Sequence, residues 1–402
     1  MPILLVHLAT GVAEAQVVRG VVTGRDSAVP LVGVLVALEP AGEAARAPLE
    51  SHALPAATGA GVLTNPRGEY AIRAPASGMY RLSAKRIGVQ RFRSEPFVLR
   101  DGETRRLDIA LEPALQRLPE VRVSTPGICI AREEQVSRVV ALWDEARTAL
   151  TANRISLRDR LYEGSVTRYV RELDPRTGKV VSDARTETHG IMDRPLTGLS
   201  GDSLSKIGFW QPVENGRAIV YHAPDAEVLL SAAFQRDHCY SLAARPRSRR
   251  GLVGIAFEPL ASRTTGEVAG ALWLDERSFE LRLVEFRYVG GGALGEAAGG
   301  ELHFERLTNG AWVLRRWFVR MPHARGFAAS PVGVEGRLPS VLVRPGAPRL
   351  IEEGAELVPK ALRVPERHPV PPAPHMVSRI ASWRPILGPN RPPFLRGSRV
   401  TE

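Results

Sequence analysis

The sequence predicts a mainly β protein: an N-terminal β-sandwich, then a helix and a curved antiparallel sheet or half-barrel, then a Pro-rich tail. Three observations carry this reading. Between residues 17 and 322, short apolar stretches mostly alternate with polar positions, the period of half-buried strands. The chain holds 37 Gly and 32 Pro, and many of them fall between those stretches as turn punctuation. One segment, 128 to about 150, instead repeats its apolar residues at helical spacing. The length of 402 residues suits two or three domains, and 44% hydrophobic with 24% charged residues is an ordinary globular balance.

Residues 16–112 divide into strands at Val17 to Thr23, Leu31 to Leu38, Glu69 to Arg73, Gly78 to Ala84, Phe97 to Leu99 and Leu107 to Leu111. A turn at 24–30 separates the first two, and 39–59 is a looser, Ala-rich insertion. Asn65-Pro66-Arg67-Gly68 is a turn in which Asn can bond its own backbone and Gly can take positive φ. Strands this short at this spacing predict a sandwich. The phrases V-x-G-V-V-T, T-N-x-x-G-E-Y-x-I, G-x-Y-R-L-S-A and V-L-x-D-G-E-T-x-x-L-D-I-A-L together resemble the carboxypeptidase regulatory-like, transthyretin-like family. That resemblance implies an accessory module with a carbohydrate-binding-like sandwich fold and no chemistry of its own. Asn65 stands where the family pattern usually has Asp, Gly68 fits the turn, and Tyr70 is expected to point into the sandwich.

Residues 113–127 read as a linker, and residues 128–322 as a helix followed by a β-meander. Val136, Val139, Val140, Trp143, Ala146 and Leu150 form the helical stripe. Trp143 is expected to anchor packing. Nine strands are predicted at 161–173, 180–189, 218–221, 238–243, 252–258, 267–275, 280–289, 300–307 and 312–322. Asp174-Pro175-Arg176-Thr177-Gly178 and Asn309-Gly310 mark hairpins between them. The phrase Gly270-x-x-Trp273-Leu274-Asp275 leading to Leu281 and Phe286 is similar to the half-barrel of LolA-like lipoprotein carriers. If that resemblance holds, the concave face is apolar and open to lipid; otherwise it is a filled core. Residues 323–402 lose the pattern and read as a Pro-rich, partly disordered tail.

The ends and the cysteines bear on compartment. Residues 1–15 carry an apolar run, Ile3 to Val6, and an A-x-A site at Ala13-Glu14-Ala15, without a basic n-region. They read as an incomplete signal peptide cleaved between Ala15 and Gln16, which implies export to the periplasm or outer membrane. The two cysteines, Cys129 and Cys239, lack metal or redox spacing and are the candidates for one disulfide. No stretch reaches the ~18–20 apolar residues of a membrane helix, so peripheral association is the only membrane role expected.

The net charge of +11 raises nucleic acid as a partner. The densest basic cluster, Arg245, Arg247, Arg249 and Arg250, has no aromatic residues among it, and the reading rejects nucleic acid. An envelope protein, lipid or glycan is expected instead, and the oligomeric state is not specified. The search for chemistry finds no H-x-x-E, no H-E-x-x-H, no G-x-S-x-G and no phosphate loop. No cofactor, metal or catalytic residue is assigned. Cys239 adjoins His238, but strand neighbours face opposite ways. The polar stretch Leu199 to Gly208, with Asp202, Ser203 and Lys206, is the candidate ligand loop. The expected function is a non-catalytic envelope binding or assembly protein. A lipid or lipoprotein carrier is the first alternative and a cryptic hydrolase the second.

Overall fold

The structure, a computed structural model, describes residues 16–41, 61–112, 133–191, 198–213, 218–290, 298–323, 331–332, 340–341 and 349–363. The leader (with Ala15), the linker with Cys129, and the tail beyond 363 lie outside the described residues.

The sandwich is built from β1 (Val17–Gly24), β2 (Leu35–Pro40), β3 (Gly61–Leu63), β4 (Glu69–Arg73), β5 (Gly78–Lys85), β6 (Phe92–Arg93), β7 (Phe97–Leu99), β8 (Thr104–Arg106) and β9 (Ile109–Leu111). One sheet runs β4-β1-β8, with β9 also on β1; the other runs β3-β2-β5-β6, with β7 also on β5. The period-two pattern puts Val18, Val22, Val36, Ile72, Leu82 and Leu99 into the core between them. Of the stretch 107–111, expected as one strand, only Ile109–Leu111 forms a strand, and β8 precedes it at Thr104–Arg106. β8 pairs in parallel with Val17–Arg19 and β9 with Val22–Gly24. At the break the Asp108 carboxylate accepts from Val21 N (2.9 Å), replacing a ladder bond. Tyr70 is buried and its hydroxyl donates to Leu107 O (2.6 Å). Asn65 Oδ1 accepts from Arg67 N (2.9 Å) and Glu69 N (3.0 Å), and Gly68 takes φ +72°.

The second region begins with α1 (Glu133–Arg158), which runs about two turns beyond the expected end. It continues with β10 (Tyr162–Leu173), β11 (Val180–Ile191), α2 (Gly201–Ile207), β12 (Trp210–Val213), β13 (Ala218–Tyr221), α3 (Ala226–Leu230), α4 (Ala232–Asp237) and β14 (His238–Leu242). Then come β15 (Leu252–Pro259), β16 (Glu267–Asp275), β17 (Leu281–Val289), β18 (Gly299–Arg306), β19 (Trp312–His323), the short β20 (Pro331–Val332) and β21 (Ser340–Val341), and β22 (Arg349–Leu362). Nine of these strands form one antiparallel sheet, β11-β10-β22-β19-β18-β17-β16-β15-β14, curved but not closed into a barrel.

β22 corrects the sequence reading, which placed 323–402 in a tail. It sits inside the sheet, between β10 and β19. Its pattern is masked by Glu352-Glu353-Gly354. Glu352 is buried, but Arg320 Nε and Arg171 Nη1 donate to it at 2.7 and 3.3 Å. At Gly354 a Cβ would lie 2.5 Å from both Trp317 O and the Tyr169 ring, so the strand has no side chain there.

α1 packs against the apolar face of the sheet. Val139, Leu142, Ala146, Ala149 and Leu150 pack into one core with Leu272, Leu274, Val284, Leu302 and Trp317. The alanines allow close approach, and two buried polar groups fix the register. Asn153 Nδ2 donates to Trp312 O (3.0 Å), and Trp312 N donates to Ser156 Oγ (2.9 Å). Trp143 packs at the edge of this core against Tyr240, ring centroids 5.1 Å apart.

Candidate functional site

The sandwich is docked on α1. Leu35 of β2 and Leu63 of β3 belong to the core of the second region and not to that of the sandwich. Arg158 Nη2 donates to Gly61 O (2.6 Å). Lys85 Nζ donates to Glu145 Oε1 (2.6 Å), and Arg91 Nη2 to Asp144 Oδ1 (2.7 Å). Burial opposes ionisation of Asp144, but Arg91, Arg147 and Lys85 outweigh it and hold the carboxyl below the usual range. At the other end of the seam two glycine backbones meet. Gly33 (φ +70°) and Gly310 (φ +86°) are so close that a Cβ on Gly310 would lie 2.5 Å from Gly33 Cα. Asn309 holds that hairpin: its Nδ2 donates to Leu161 O (2.9 Å) and Arg363 O (3.0 Å).

Between these contacts lies a recess of about 320 Å³, walled by both regions. Arg86 and Ile87 come from the turn after β5, closed by Val89 N donating to Arg86 O (3.0 Å) with Gly88 at φ +71°. Thr148 and Ala152 come from α1, and Arg277, Ser278 and Glu280 from the β16–β17 turn. That turn is set by Asp275 Oδ1, which accepts from Arg277 N (3.0 Å) and Ser278 N (2.9 Å). Arg306 and Trp312 complete the wall.

The charges of the recess are unequal. Glu280 is held by Arg306 Nε (2.7 Å) and by Arg282 Nη2 (3.3 Å). Arg86 is half-buried and has no hydrogen bond or ion pair from its side chain among the described residues. Burial first, and then the neighbouring Arg306 charge, push its guanidinium below its ordinary range, with Glu280 opposing. The recess thus offers cationic hydrogen-bond donors beside an apolar wall of Leu35, Ile87 and Trp312.

The fold and this seam frame the comparisons with known proteins. Residues 17–112 match the family model of the carboxypeptidase regulatory-like domain. This part of the chain is a carboxypeptidase regulatory-like domain. No curated protein matches the chain. Among solved structures, a streptococcal ancillary pilin is 14% identical over 45% of this chain and 51% of its own, with a TM-score of 0.20. This chain therefore covers about half of that pilin's length. A DUF1329 family protein from Desulfovibrio piger is 11% identical over 56% of this chain and 92% of its own, with a TM-score of 0.24. A protein of unknown function from Bacteroides fragilis is 11% identical over 87% of this chain and 98% of its own, with a TM-score of 0.16. The carrier-like resemblance of the second region rests on its sequence phrase alone.

The residues singled out in the sequence lie apart from the seam between the regulatory-like domain and α1. Asp202, Ser203 and Lys206 are on α2, a short helix and not the polar loop expected. Ser200 caps it by accepting from Ser203 N (3.2 Å), and Gly208 ends it at φ +88°. Asp202 and Lys206 are exposed. Cys239 is partly exposed on β14, and its candidate partner Cys129 lies outside the described residues. His238 is buried, with Nδ1 2.9 Å from Phe234 O and Nε2 3.0 Å from Val268 O. Within the basic cluster, Arg245 pairs with Glu276 (2.8 Å), and Arg249 pairs with Glu285 and Glu301. Among the described residues no three His, Cys, Asp or Glu side chains stand together to hold a metal. No described helix is long and apolar enough to cross a membrane.

Sequence reasoning missed the recess. Its lining comes from turns and strand ends far apart in the chain, and no local spacing links Arg86 to Arg306. The signal visible in the sequence is Arg86-Ile87-Gly88-Val89, a charged turn with a glycine for positive φ.

Proposed function

We propose that the protein is a non-catalytic binding protein of the cell envelope, in which the regulatory-like domain and the sheet region together hold a ligand in the junction recess. The observation that supports this most is the shared wall. The domain gives Leu35 and Leu63 to the core around α1 and Arg86 to the recess, so it acts as half of a binding site instead of a tethered spacer. Export through the leader ending at Ala15, and a Cys129–Cys239 bridge, belong to the same reading. The carrier alternative needs an open apolar sheet face, and α1 packs against the apolar face of the sheet. The hydrolase alternative gains nothing from His238, whose two nitrogens face main-chain carbonyls.

The test is native mass spectrometry of the full chain purified from its own envelope, beside Gly310→Val, which forces the seam apart. The reading predicts a small co-purifying molecule on the wild type and its loss from the variant. A bare mass for both, or a ligand kept by the variant, contradicts it. Reduction should add about 2 Da if the bridge is present, and N-terminal sequencing should begin at Gln16.

A further inference from the structure

An arginine that is half-buried without a counter-ion is an electrostatic cost that a fold normally removes by pairing. Most arginines at the seam follow that rule: Arg91 and Arg147 share Asp144, and Arg306 holds Glu280. Arg86 does not. It lines the recess, its guanidinium has no hydrogen-bond or ion-pair partner among the described residues, and the charges that act on it are Arg306, of like sign, and Glu280. Glu280 is a poor counter-ion for it, since one carboxylate oxygen is engaged by Arg306 at 2.7 Å and the other by Arg282 at 3.3 Å. Three arginines and one carboxylate line the cavity, a surplus of cationic donors in a space of about 320 Å³.

From this geometry we propose that the recess binds an oxyanion, a phosphate ester or carboxylate carried on a small molecule, with Arg86 as its anchor and Arg306 as the second cation. A planar guanidinium presents paired N–H donors that match two oxygens of such a group. Bound between Arg86 and Arg306, the anion converts a like-charge contact into two opposite-charge ones. Leu35, Ile87 and Trp312 give the remainder of the ligand an apolar wall, and the cavity volume limits it to something near the small end of ligand sites. The inference rests on the reading of the recess as the binding site and adds the ligand's chemistry to it.

Thermal unfolding of the full chain tests it, with inorganic phosphate, glucose 6-phosphate and glucose as probes, and sedimentation with phosphatidylglycerol vesicles as a separate arm. The variants are Arg86→Gln and, as a control, Arg247→Gln at an exposed arginine outside the recess. Glucose 6-phosphate or phosphate should raise the wild-type and Arg247→Gln midpoints by several degrees, about 2–4 °C at saturating ligand. Glucose should not. Arg86→Gln should lose the response while its ligand-free midpoint equals or exceeds that of the wild type, because a repulsion has been removed. Vesicle binding that depends on Arg86, without a response to the soluble probes, assigns the oxyanion to a lipid headgroup and upholds the proposal. Equal responses in the wild type and Arg86→Gln, or no response to any anion and no Arg86-dependent vesicle binding, overturn it. A neutral molecule that co-purifies with the wild type and leaves with Gly310→Val would sink the oxyanion while leaving the junction as a binding site. A bare mass would remove both.

Discussion

At the scale of single residues, two positions carry sharp consequences. Glu353 of β22 lies between Val170 and Val319 in the sheet register, on the strand face of the core residues Ala355 and Leu357, with no ion pair from its side chain among the described residues. Burial lifts its carboxyl from the ordinary 4.5 to about 7, with Arg168 pulling the other way. Between those two values the folded chain keeps a proton that the unfolded chain releases. Stability contributed at this site is therefore full below the lower value and falls as pH rises through the window. Glu353→Gln should remove about 1–3 kcal/mol of that pH dependence. The check is the difference in urea midpoint between variant and wild type from pH 5 to 8, which should grow in favour of the variant; a constant difference would refute it. Gly310 is the second position. Gly310→Ala places a Cβ at φ +86° against the Gly33 backbone and should cost about 2–4 kcal/mol. Denaturant titration checks it, and a loss below 1 kcal/mol would mean that the two backbones are not in register across the seam.

At the scale of elements, β22 and α1 decide the architecture. Removing residues 349–363 should unfold the sheet region as a whole, since β10 and β19 both pair with β22 and would each expose an unpaired edge. Loss of the near-ultraviolet circular dichroism signal would show this; a folded truncation product would contradict the topology. Gly354→Val should act in the same direction, because its side chain would collide with Tyr169 and Trp317. The sequence made strands such as β17 and β18 legible because one face lies in the core and the other toward less buried surroundings, so period two survives. It hid β22 because the strand's outward Glu352 is buried in an arginine pair and its centre is a glycine. The break at 107–108, between β8 and β9, was hidden for a similar reason: Asp108 substitutes for a ladder bond, and such substitution leaves no periodic trace. The candidate site was least legible, because it is made where two regions meet and the meeting is written in Gly33, Gly310, Lys85 and Arg91, residues that read locally as turns and surface charge.

At the scale of the whole molecule, residues 16–363 belong to one structural unit in which the regulatory-like domain is docked and the recess is assembled by the docking. The seam combines apolar contacts from Leu35 and Leu63 with partly buried ion pairs on Glu145 and Asp144. Lys85→Met with Glu145→Leu should therefore be tolerated better than either change alone, because a lone partner would be left charged at the interface. Midpoints from the double-mutant cycle check this, and additive effects would contradict it. The central claim, that domain and sheet form one unit around the recess, is tested most directly by differential scanning calorimetry of the full chain beside Gly310→Val. The account predicts a single cooperative transition for the wild type, with calorimetric and van't Hoff enthalpies in agreement, and two separated transitions for the variant. Two independent transitions already in the wild type would contradict it and leave the domain a tethered module with no shared site.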